Sequence, residues 1–154
     1  MPEIKKQYQE LAKKHKLPDF DKLDIEFEIS TIEDAKFLLR SIMSRMGDKI
    51  EFYASTLGDI LHPDSSNMHA IQEYRFFDEG ERNMMFEIYR KLMSISRNSV
   101  EVLLNCDEKE EAEFITGFYG QWLAIKPELA RWFRKMKESW RTDSDSKEDL
   151  GYMG

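Results

Sequence analysis

TIEDAKFLLRSIMSRMGDKIEFYASTLGDIL, residues 31–61, places Ala35, Leu39, Ile42, Met46, Ile50, Tyr53, Leu57 and Ile60 at successive spacings of three or four. That period lines one face of an α-helix, whereas a strand repeats every second residue. The segment reads as one helix, roughly 45 Å long at 1.5 Å per residue. A helix of that length buries its stripe only against partner helices, from its own chain or from a second copy. Gly47 lies inside it, off the stripe. The phase continues past Gly47, so the glycine weakens the helix without ending it.

Working outward, three N-cap patterns precede apolar periodic runs: Ser30-Thr31-Ile32-Glu33, Asp78-Glu79-Gly80-Glu81 and Asp107-Glu108-Lys109-Glu110. Each sets a cap oxygen three residues before a Glu, which suits the orphan amides and the dipole of a helix start. They mark helices beginning near residues 31, 79 and 108. In the second, Met85, Ile88, Leu92, Ile95 and Val102 point inward. In the third, Ala112, Ile115, Tyr119 and Trp122 do. Pro127 is expected to interrupt that helix, because it lacks an N–H and crowds the preceding turn. The stretch after it, to Arg141, then carries its own stripe of Leu129, Phe133, Met136 and Trp140, which leaves Trp132 outside.

Upstream, residues 2–15 form a helix with Ile4, Tyr8 and Leu11 on one face, ended by Leu17-Pro18. Residues 19–29 are ambiguous. Leu23, Ile25, Phe27 and Ile29 alternate with acids as a strand does, while Phe20, Leu23 and Phe27 fit a helix. The expectation is a helical turn at 19–24 and then an extended arm, with strand pairing across a dimer as the alternative. His62-Pro63-Asp64-Ser65-Ser66 is a turn, followed by a short helix at about 66–74. The fold expected is all-α: a bundle of five or six helices, two or three of them long and amphipathic. The domain organisation expected is a single helical domain, 1–141. It comprises an N-terminal helix and arm (1–29) and a helical core (30–141), followed by a disordered acidic tail at 142–154.

Composition narrows the function classes. The chain has 154 residues, 41% hydrophobic and 34% charged, which is enough apolar material for one core with solvated helices. No run of 18 apolar residues is present to span a bilayer. The N-terminus lacks the apolar segment of a signal peptide. One cysteine, Cys106, excludes an internal disulfide and suits a reducing cytoplasm. It sits between Asn105 and Asp107, and acidic neighbours disfavour a thiolate, which argues against a nucleophile. Net charge is −7, so non-specific duplex binding is not expected. Basic residues nonetheless gather at both ends: five Lys against two Glu in residues 1–17, and six Lys or Arg against two Glu in residues 126–141.

No Gly-x-Ser-x-Gly, Cys-His pair or phosphate loop appears. Gly117 and Gly120 are expected to allow close helix approach. Asp59-x-x-His62 and His69-x-x-x-Glu73 each put metal-ligating types on one helical face. However, Pro63 ends the first helix and the set falls short of a di-metal constellation, so neither metal nor other cofactor is expected. Seven methionines lie in the helical region, of which Met84 and Met93 are the ones left outside the stripes. The most suggestive surface is the last helix, where Arg131, Trp132, Arg134, Lys135 and Trp140 mix aromatic and cationic groups as binding hot spots do. The function expected is a non-enzymatic cytoplasmic module that binds another protein or a second copy of itself. Two alternatives are weighed. One is a metal-binding or enzymatic bundle using Asp59, His62, His69 and Glu73. The other is an accessory of RNA or translation machinery contacted by the basic end-helices.

Overall fold

The structure, a computed structural model, describes residues 3–34 and 36–141. Pro2, Ala35 of the central stripe and the expected tail at 142–154 lie outside the described residues. Six α-helices follow in order: α1 Glu3–His15, α2 Phe20–Phe27, α3 Leu38–Leu61, α4 Met68–Arg75, α5 Glu79–Asn105 and α6 Glu108–Arg141. No strand occurs among the described residues. The fold is an all-α bundle with three long helices. It divides into two compact units, one of residues 1–53 and 92–123, the other of residues 54–91 and 124–154. Helices α3, α5 and α6 each contribute residues to both.

The central stripe is core. Leu39, Ile42, Met46, Ile50, Leu57 and Ile60 are buried and Tyr53 is partly so. The helix starts at Leu38, however, not at Thr31. Ser30 cannot cap it, because it lies within a 3₁₀ turn, Ile29–Thr31, well ahead of Leu38; its amide donates to Asp24 Oδ1 at 2.7 Å. The Thr31 hydroxyl donates to the Glu28 carbonyl at 2.7 Å, and Arg45 Nη1 donates to Thr31 Oγ1 at 2.7 Å. The backbone bonds Thr31 N–H to Glu28 O and Ile32 N–H to Ile29 O, each 3.2 Å, make a 3₁₀ turn at Ile29–Thr31, which these side-chain bonds brace, and Ile32 is extended. The true helix is therefore roughly 36 Å long.

Neither an extended arm nor a strand forms at 23–29. Asp19 caps α2 by accepting from the Lys22 amide at 3.2 Å. Glu28, at φ 54°, ends it with its own N–H on the Asp24 carbonyl. Leu23 and Phe27 are buried, whereas Ile25, on the opposite face, is 79% exposed. The apparent alternation was thus a helix with one apolar residue facing water.

In the first unit the core centres on Trp122. Its ring lies 6.1 Å from Phe27 and 5.5 Å from Tyr53. Its Nε1 donates to the buried Glu26 carboxylate at 3.3 Å. Buried Tyr8 donates to the Pro18 carbonyl at 2.6 Å, and burial pushes its phenol pKa up.

In the second unit Asp78 and Glu81 form the capping box foreseen for α5. The Glu81 amide donates to Asp78 Oδ1 at 2.8 Å, and the Asp78 amide to Glu81 Oε1 at 3.2 Å. Close helix approach occurs at Gly58, where an added Cβ would stand 3.1 Å from the Tyr89 ring. It does not occur at Gly117 or Gly120, which are exposed with nothing near them.

Leu57→Ala should lower unfolding free energy by about 2–5 kcal/mol, because Leu57 is wholly buried. Gly47→Ala should instead raise it by about 1 kcal/mol, since a methyl there meets nothing and helix propensity improves. Urea unfolding of the two variants beside the parent measures both.

Candidate functional site

The end of α6 is built on a stripe that runs straight through Pro127. Trp122, Ile125, Leu129, Trp132, Met136 and Ser139 are all buried, at spacings of three or four. Pro127 lies within the helix and is exposed, so the backbone carbonyl it leaves without a partner sits on the solvent side. The helix is not interrupted, and its phase is not reset. Trp132 is consequently 0% exposed rather than a surface residue, while Phe133 is only partly buried. The Trp132 Nε1 is buried without a hydrogen-bond partner.

Of the other residues expected on this surface, Arg131 is paired with Glu128 on its own helix. Lys135 bridges to Glu81 of α5 and lies over the Phe77 ring at 5.5 Å. Arg134 is exposed, as are Lys137 and Arg141. The spacing of 134, 137 and 141 aligns these three on one helical face. Trp140, at its edge, is 38% exposed. It is held by α4: its Nε1 donates to Glu73 Oε2 at 3.2 Å, and its ring lies 5.6 Å from His69. The pattern Trp122-Ile125-Leu129-Trp132-Met136, which the stop at Pro127 hid, is the signal in the sequence that would have located this face.

His69 and Glu73, drawn into the metal alternative, therefore serve Trp140. His62 lies apart, lining a cleft of about 350 Å³ with Tyr74, Glu79, Arg82, Asn83 and Phe86. Arg82 is fixed there by the Phe77 carbonyl at 2.7 Å and stacks 4.3 Å from the Tyr74 ring centre. Among the described residues, no three His, Cys, Asp or Glu side chains are grouped to hold a metal ion.

The first unit carries a second pocket, of about 430 Å³, lined among others by Phe37, Arg40, Cys106, Glu108 and Glu111. Cys106 ends α5 in the left-handed region, at φ 55°. Its acidic sequence neighbours did not reveal its tertiary one: Arg40 Nη2 lies 2.7 Å from the thiol. Arg40 Nε also donates to the buried Glu111 at 3.1 Å, and this bond, followed by the thiol, raises the guanidinium pKa. Glu108, in the first turn of α6, takes Lys14 Nζ at 2.9 Å and His15 Nε2 at 2.8 Å from α1. The hydrogen bonds from Lys14 and His15 hold its carboxyl below the ordinary value.

Set against protein-family models, curated protein sequences and solved structures, the chain has no match in any of the three. No helix among the described residues is long and apolar enough to cross a membrane.

Two outcomes follow. Trp132→Ala should cost about 3–5 kcal/mol of stability. Trp132→Phe should cost clearly less, because it also deletes the unsatisfied N–H. Denaturant unfolding compares them. For Glu108, a depressed folded pKa means a stability contribution that is present above the ordinary carboxylate value of 4.5 and lost as pH falls through the depressed one. The gap in thermal midpoint between the parent and Glu108→Gln should therefore be open at neutral pH and close as the solution is made acidic.

Proposed function

We propose that the chain is a non-enzymatic helical interaction module. It binds another protein through the exposed cationic face of the second half of α6, Arg134, Lys137 and Arg141, with Trp140 at the edge. The observation that carries this reading is the state of Trp140, which is part-exposed yet held by Glu73 and His69. A fixed, half-open indole loses little freedom on binding, and Trp beside Arg is the usual composition of an interface hot spot. Three cations on one face favour an acidic partner surface and add speed of encounter. A reducing cytoplasm is the compartment proposed, consistent with the one exposed, free Cys106.

A photo-crosslinking residue at position 137 of the full chain, expressed in its native host, tests the reading. The expected result is one acidic protein captured in excess over all others. Its yield should fall several-fold with Arg134→Glu or at high salt, while the unfolding midpoint stays unchanged. Capture that is insensitive to the charge reversal overturns the assignment of this face. Capture of nucleic acid would transfer the face to the RNA reading.

A further inference from the structure

The solvent side of α5 within the first unit carries an exposed apolar pair. Val100 is 58% exposed and Leu104, one turn on, 79% exposed. Met93 is half-buried on the same side, and Arg97 and Glu101 flank it, both exposed. No ion pair joins Arg97 or Glu101 to another described residue. Positions 93, 97, 100 and 104 are spaced four, three and four, the seam of a helix that packs lengthwise against another helix.

We propose that this face binds a second copy of the same chain, α5 against α5, antiparallel about a two-fold axis at the level of Ser99. The argument is that the face complements itself. Arg97 and Glu101 stand two residues to either side of Ser99. A two-fold there sets Arg97 of each copy opposite Glu101 of the other and makes two reciprocal ion pairs. Met93 and Leu104 stand six and five residues away on opposite sides, so each Leu104 meets the other copy's Met93 within about one residue's rise of 1.5 Å. Val100, one residue from the axis, meets its own counterpart. An isologous interface requires this kind of match, in which one patch serves both partners. A parallel pairing would instead align Arg97 with Arg97 and Glu101 with Glu101. The seam is short, so the dimer is a weak one. The seam uses none of the residues named for the α6 face, and the two proposals stand or fall independently.

Charge reversal tests it on the full chain by sedimentation equilibrium over a concentration series. Wild type should show reversible monomer–dimer behaviour. Arg97→Glu alone and Glu101→Arg alone should each weaken self-association about tenfold or more, because every pair becomes like-charged. The double variant R97E/E101R should recover it. So should an equimolar mixture of the two single variants, which restores both pairs across the interface. Thermal unfolding of dilute monomer should be nearly unchanged in all of them, since both side chains face solvent. A wild type that stays monomeric overturns the proposal. Self-association untouched by the single reversals also overturns it, by placing the contact elsewhere. Failure of both the double variant and the mixture to recover overturns the antiparallel register.

Discussion

The indole of Trp132 is the largest wholly buried side chain among the described residues, and its burial sets the rotation of α6 about its own axis. An α-helix is stiff at 100° per residue. Once Trp132 is inside, Leu129 and Met136 must be inside with it, and Arg134, Lys137 and Arg141 must be outside. The same phase carries back through Ile125 to Trp122, whose ring meets Phe27 and Tyr53. The cost is an indole N–H with no acceptor. The apolar area buried by so large a ring outweighs one unsatisfied donor.

Helix ends are settled by hydrogen-bond accounting rather than by propensity. Among the described residues, three non-glycines, Lys16, Glu28 and Cys106, take positive φ where α1, α2 and α5 stop. Each follows from the need to turn the chain and satisfy terminal carbonyls in little space. At Glu28 the turn is secured from outside, because Arg45 of α3 donates to its carbonyl at 3.1 Å. At Cys106 the equivalent cation is Arg40, which reaches the Leu103 carbonyl at 3.3 Å as well as the thiol. Arginines from one helix thus act as the caps of others, which ties loop geometry to packing.

The two faces proposed for recognition differ in chemistry. The α6 face is cationic with one anchored aromatic. The α5 face is apolar with one charge of each sign. The first suits an acidic partner and gains from long-range attraction. The second suits its own copy, because opposite charges at equal distance from a two-fold complement each other.

The sequence by itself determined the all-α class, the central stripe from Leu39 to Ile60 and the Asp78–Glu81 box. All of these rest on contacts within a few residues, which spacing encodes directly. It also determined that positively charged groups would gather on the last helix. What only the tertiary structure decided was which side of that helix faces water. With a stop at Pro127 the stripe would shift by one position and Trp132 would face outward. The helix continues because that proline lies on the solvent side, a matter of packing and not of local preference. The same holds for Ser30, drawn into a 3₁₀ turn instead of a helix start, and for Ile25, whose alternation with acids mimicked a strand. Arg40 beside Cys106 lies 66 residues away in the chain. No local pattern can disclose a partner at that separation, because only the closing of the fold brings it near.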